Sequence, residues 1–128
     1  VITLDTHAAV WWTLSPEHLS TPAAEAIHRA DRILIPAIVF WEVSLLVRKE
    51  RMRLNDDQPV GTWARQVLAI PRVEEVPLTV RVALAADAAD MHPDPADRFI
   101  ATTAHQLDAP LVTKDRLLRD LPWLATTW

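Results

Sequence analysis

The chain has 128 residues, enough for one domain with a sizeable core, and its 50% hydrophobic and 23% charged content excludes a disordered chain. With no Cys and a single Gly, disulfides, thiolate nucleophiles, cysteine zinc sites and the glycine-rich loops that bind ATP or NAD are all ruled out. A formal net charge of −4 argues against general nucleic-acid affinity, so any such contact must be local.

Val1 to Asp5 is short, apolar and β-branched, and reads as a buried strand that ends on an acid. Thr6 to Leu14 fits a short helix. Thr21 followed by Pro22 reads as an N-cap with Pro at the first helical position, so a helix is expected over Pro22 to Ala30. Arg32 to Pro36 reads as a second strand. Ile38 to Arg51 carries Ile38, Val39, Leu45 and Leu46 at helical spacing. Asn55 to Pro59 is a loop, Val60 to Ala69 a helix and Arg72 to Val76 a third strand. Thr79 to Ala89 is alanine-rich and helical. His92 to Pro95 turns into a helix over Pro95 to Leu107. Pro110 to Thr113 reads as a fourth strand, Asp115 to Leu121 as a short helix, and Ala125 to Trp128 as a last edge strand.

Strands that alternate with helices imply parallel pairing. The expected fold is a three-layer α/β/α sandwich, one domain over 1–128, around a central, mainly parallel sheet of four to five strands. The longest apolar run, Ile33 to Trp41, is too short to span a bilayer, so no membrane partner is expected. The first residues show no signal-peptide layout, which makes the cytoplasm the expected location.

Four carboxylates sit where apolar runs meet the surface: Asp5, Glu42, Asp97 and Asp115. Buried carboxylates are costly unless paired, and acids gathered at a core rim commonly hold a hard cation such as magnesium or manganese. Glu42 shares its helix face with the apolar stripe; the plain alternative is an ion pair with Arg98. Asp97 stands at the third position of a helix that Asp94 caps, but it also precedes Ile100, Ala101 and Ala104 on one face. Asp5 and Asp115 could each cap the following helix, with Thr113 offering a similar hydroxyl. Both also fall at or just past carboxyl ends of strands, where open parallel sheets gather their functional groups.

The five histidines show no metal-ligand spacing, although His7 and His92 are candidates to lie near the acids. No serine sits in a nucleophile elbow. The six Trp read as core and interface rather than as base-stacking platforms, with Trp11, Trp12 and Trp41 suspected of forming a partner surface. Basic stretches at Arg48, Lys49, Arg51 and Arg53, and at Lys114, Arg116 and Arg119, flank the acids. Solvated helix faces explain such runs most simply, but basic flanks around an acidic centre also suit a metal-dependent nuclease.

Leu4-Asp5-Thr6, Glu42 in an apolar helix, Asp97-Arg98-Phe99-Ile100-Ala101 and Leu111-Val112-Thr113-Lys114-Asp115, in that order, resemble a PIN domain. His92-Pro93-Asp94-Pro95-Ala96-Asp97-Arg98 is similar to the toxin ribonucleases of bacterial VapBC toxin–antitoxin systems. The resemblance covers essentially the whole chain. It implies an endoribonuclease dependent on Mg2+ or Mn2+ that cuts RNA and stops translation, a cognate antitoxin that blocks the acidic pocket, and commonly a toxin homodimer. By the family pattern, Asp5, Glu42, Asp97 and Asp115 form the acidic quartet, with Asp5 and Asp97 as direct metal ligands. Glu42 and Asp115 would orient water or bind a second ion. Thr113 would hydrogen-bond an acid, Thr6 matches the polar residue after the first acid, and Asp94 and Arg98 belong to the extended motif. Arg98 would orient Asp97 or offset repulsion among the acids.

Two rivals remain in view. One is a catalytically silent module that docks an antitoxin or RNA through the same pocket. The other, a phosphotransfer receiver, needs an acid after its central strand, whereas the third strand ends at Val76-Pro77. A phosphatase built on the first-strand acid would want a second Asp where His7 stands.

Overall fold

The computed structural model describes residues 1–128. Its strands are β1 (Ile2–Leu4), β2 (Ile33–Pro36), β3 (Val73–Val76), β4 (Leu111–Val112) and β5 (Thr126–Thr127). The helices are α1 (Thr6–Leu14), α2 (Thr21–Arg29), α3 (Ala37–Arg48), α4 (Val60–Leu68), α5 (Val80–Ala88), α6 (Pro95–Gln106) and α7 (Arg116–Arg119). All strand pairs are parallel, in the order β3-β2-β1-β4-β5, and the seven helices flank the sheet.

The expected sandwich is the observed one, with five strands. Ile2, Leu4, Ile33 and Ile35 are buried because a covered parallel strand has no solvent face, which is why these segments read as continuous apolar runs. Thr3 is the polar exception in β1, and its hydroxyl donates to the Ala109 carbonyl at 3.1 Å. The edges stay short or charged. β5 has two residues, and β3 presents Glu74, which takes two bonds from Arg32 at 2.6 and 2.8 Å.

Helix starts follow capping chemistry. Thr79 and Asp94 cap α5 and α6 through the N–H groups of Val82 and Asp97. The cap of α2 is Ser20 rather than Thr21: its Oγ accepts from Ala23 N–H at 3.2 Å, which puts Pro22 one position further in. Pro lacks an N–H, and either early position leaves no bond unmade. Trp63 is wholly buried, and its indole N–H donates to Thr13 Oγ1 at 2.9 Å, tying α4 to α1. No helix is long and apolar enough to cross a membrane.

The topology positions the site. From β1 the chain moves outward to β2 and β3, then crosses back to place β4 on the other side of β1. Strand order therefore reverses at β1/β4, and a crevice opens beyond their carboxyl ends. Asp5 follows β1 directly, and Thr113 to Asp115 follow β4.

Candidate active site

A cleft of about 440 Å³ opens at this switch point. Asp5, Glu42, Asp94, Asp97 and Asp115 all line it, with Thr6, His7, Trp11 and Lys114. The crossover thus brings together acids from four separate stretches of chain.

Each acid is held by local structure. Asp5 caps α1, its Oδ1 accepting from Ala8 N–H at 2.7 Å. Asp115 caps α7 through Leu117 N–H at 2.8 Å. Thr113 is fully buried; its Oγ1 accepts from Asp115 N–H at 3.1 Å, and its hydroxyl favours the ionised form of the nearby Asp5 carboxyl. One threonine thereby serves both the acid after β1 and the acid after β4. Capping and lining the cleft are compatible here, because a cap bond uses one carboxylate oxygen and leaves the other.

Glu42, Asp94 and Asp97 converge: each offers an oxygen, and these lie within 4.8 Å of one another. Asp94 is therefore both the cap of α6 and a member of the convergent set. Asp97 converges with Glu42 and Asp94, and Asp5, its expected co-ligand, lines the same cleft. Glu42 makes no ion pair with Arg98, which turns elsewhere.

The expected role of Arg98 needs correction. Its guanidinium neither touches Asp97 nor faces the acids. It donates to the carbonyls of Ala86 (2.8 Å), Ala89 (3.0 Å), Met91 (2.8 Å) and His92 (3.1 Å). This is a cation closing the C-terminus of α5 and pinning the segment after it. The partner of Asp97 is instead His92, whose Nε2 lies 2.7 Å from Oδ2. An ionised carboxylate only accepts, so the imidazole N–H donates.

Crowding and burial leave a mark on titration. Desolvation pushes Asp5 up to about 6, opposed by the Thr113 and Ala8 bonds and reinforced by the charges of Glu42 and Asp115. Asp97 also rises to about 6, chiefly through burial, with the His92 bond opposing and Asp94, Asp115 and Glu42 adding to the rise. Two acids raised this far, chiefly by burial, mark a site whose ionised carboxyls a bound cation would favour.

The residues fit a hard divalent cation. The donors are all oxygens, three converge, and their mutual repulsion is the kind a cation relieves. Thr6 adds a buried hydroxyl with no hydrogen-bond partner at the same cleft.

Basic flanks contribute unevenly. Arg53 is engaged by Asp57 at 2.8 Å, while Arg48, Lys49 and Arg51 are exposed. Lys114 reaches into the cleft mouth, its Nζ 5.7 Å from the Trp11 ring centroid. Trp11, expected at core or a partner surface, lines the acid cleft. Trp63 is core, as expected, and Trp41 is exposed on α3. Both histidines expected near the acids lie there: His7 lines the cleft and His92 bonds Asp97.

A parallel five-stranded sheet with an acidic cleft at its switch point defines an α/β domain of nuclease type, and the PIN-domain model matches residues 2–124. The chain belongs to the PIN-domain family. Within it, the sequence is 36% identical over 129 residues to ribonuclease VapC22 of Mycobacterium tuberculosis (strain ATCC 25618 / H37Rv), covering 99% of this chain and 98% of that protein. The fold is shared with solved structures at lower identity. VapBC2 from Rickettsia felis, bound to a DNA fragment from their promoter, gives a TM-score of 0.65 at 18% identity, covering 98% of this chain and 96% of that one. A toxin–antitoxin complex from Klebsiella pneumoniae gives 0.66 at 15% identity, covering 98% and 97%.

Proposed function

We propose that this chain is a metal-dependent endoribonuclease, the toxin of a type II toxin–antitoxin pair, that hydrolyses RNA phosphodiester bonds and so inhibits translation. The observation that carries the reading is the convergence of Glu42, Asp94 and Asp97 within the cleft that Asp5 and Asp115 also line. The likeness to a full-length ribonuclease supports it.

Glu42, Asp94 and Asp97 would hold the ion, with Mg2+ or Mn2+ suited to their oxygens. When bound, a divalent cation offsets phosphate charge and lowers the pKa of water. His92 fixes one oxygen of Asp97 and leaves the other for the cleft. Thr113 anchors the start of the Asp115 helix beside Asp5, so both acids would border the reacting phosphate together. In the hydrolysis a water oxygen bonds to phosphorus, the bond from phosphorus to the leaving ribose oxygen breaks, and that oxygen gains a proton. Asp5, which lines the cleft beside the convergent acids, is placed to take the proton from the attacking water.

Partners follow from the same reading. A cognate antitoxin would cover the acid cleft, a second copy of the chain would complete a homodimer, and the cytoplasm would be the place of action. A silent docking module is the rival, but docking alone does not require three carboxylates to converge.

The test is cleavage of a mixed pool of structured RNAs by the purified chain, free of antitoxin, in magnesium, in manganese and in chelator. Discrete cuts that need metal and vanish in folded Asp97→Asn support the enzyme. Intact RNA throughout, with a metal-loaded folded chain, favours the docking module.

A further inference from the structure

We propose that Trp11 is a nucleobase platform, which makes the substrate of this site an RNA with an unpaired base beside the scissile phosphate; the inference rests on the ribonuclease reading above. The cleft is lined by five carboxylates, so it repels a phosphate backbone wherever no cation intervenes. Attraction for RNA must come in part from something other than charge. Trp11 is the larger of the two aromatic rings in the lining, beside the His7 imidazole, and Lys114 is the sole Lys or Arg.

The indole is pre-set for this use. It is half-buried in the middle of α1, braced by His7 at 5.4 Å, His18 at 5.5 Å and Trp128 at 5.8 Å between centroids. Ordering it on binding therefore costs little. Lys114 stands over the ring at 5.7 Å, but its side chain is exposed and flexible. An exposed cation–π contact is weaker than a base stacked on an aromatic face, so an unpaired base displaces the ammonium. The freed ammonium remains at the cleft mouth, where a neighbouring phosphate supplies a better partner. In duplex RNA the base faces are already stacked, so the platform selects loops and single strands.

Trp11 shares the cleft with the acids, so an RNA bound for cutting passes over it, and the antitoxin that would cover the same cleft is told apart from RNA by the measurements below. Trp11 takes no part in holding the cation, so its substitution separates substrate capture from chemistry.

The experiment uses the shortest single-stranded oligonucleotide spanning a mapped cut, and the same oligonucleotide made abasic at the nucleotides flanking that cut. Trp11→Leu, Trp11→Phe and Lys114→Gln are compared with the native chain. Trp11→Leu should raise KM about tenfold with a much smaller change in kcat, and Trp11→Phe should restore most of the loss. An abasic flank should weaken the native chain about tenfold but leave Trp11→Leu nearly unaffected. In magnesium, the same oligonucleotide made uncleavable at the mapped cut should quench tryptophan emission in the native chain and not in Trp11→Phe. Lys114→Gln should raise KM and flatten its salt dependence.

Native KM in Trp11→Leu would overturn the proposal. So would equal impairment of the Leu and Phe variants, which would make the ring a packing element, or an abasic penalty that persists without the indole. Unchanged KM with lost inhibition by the antitoxin would assign Trp11 to the protein partner. A native chain that cuts no RNA would instead remove the ribonuclease reading, and this inference with it.

Discussion

His92 Nε2 lies 2.7 Å from Oδ2 of Asp97, and this bond orients the acid that converges with Glu42 and Asp94. Partners that hold a ligand in place commonly change metal affinity by about 10- to 100-fold when removed. His92→Ala should therefore weaken manganese binding by about tenfold or more while the melting temperature in chelator stays close to native. A calorimetric titration checks it; native affinity in a folded His92→Ala chain would show that Asp97 needs no such support.

The raised carboxyls set a pH dependence with a definite sign. Asp5 and Asp97 titrate near 6 in the folded chain, above their ordinary 3.8. The folded state thus favours their protonated forms, so the stability they contribute is present below pH ~4 and lost as pH rises through ~6. For Asp5 the loss amounts to about 3 kcal/mol at most. Asp57 and Glu74 are held below their ordinary range by Arg53 and Arg32, and they act at lower pH, outside this window. In chelator the chain should melt at a lower temperature at pH 8 than at pH 5. Added manganese should reverse the difference, since bound cation favours the ionised acids.

Removing one member of a crowded acid set should stabilise the metal-free chain. Glu42→Gln keeps the shape and removes a charge that raises both Asp5 and Asp97. The expected gain at pH 8 in chelator is about 1 kcal/mol, or roughly 3–5 °C in Tm, together with lost cleavage. Thermal melts and RNA assays on the same sample measure the trade. A destabilised Glu42→Gln would mean that Glu42 serves the core and not the cleft.

Arg98 should behave as a structural residue. It donates to carbonyls over the end of α5 and the segment that carries His92. Arg98→Lys retains the charge but not the planar fork, and should cost about 2–3 kcal/mol. Urea unfolding at neutral pH gives the number, and a native-like midpoint would restore a direct role at the acids.

The fold was legible because its signals are local and redundant. Ile33 to Pro36 is apolar in an unbroken run, Asp94-Pro95 marks a helix start, and strand and helix patterns alternate from end to end. The acids were legible for the same reason: Asp5 and Asp115 interrupt apolar runs, and Glu42 intrudes on an apolar stripe. What stayed hidden depends on where the chain folds back. Backbone carbonyls leave no trace in sequence, so the partners of Arg98 could not be foreseen. His92 was expected near the acids, but its particular bond to Asp97 comes from the geometry of the turn between them. Asp94 reads as a cap, and nothing in its spacing shows that it also reaches Glu42. Ser20 and Thr21 are both good caps, and only the backbone decides between them.

The most direct measurement is the anomalous difference map of a crystal of this chain soaked in manganese. A peak within coordination distance of Glu42, Asp94 and Asp97, lost in Asp97→Asn, is the predicted result. No peak in the cleft at saturating manganese, or a peak elsewhere on the chain, would contradict the acid cleft as a metal centre.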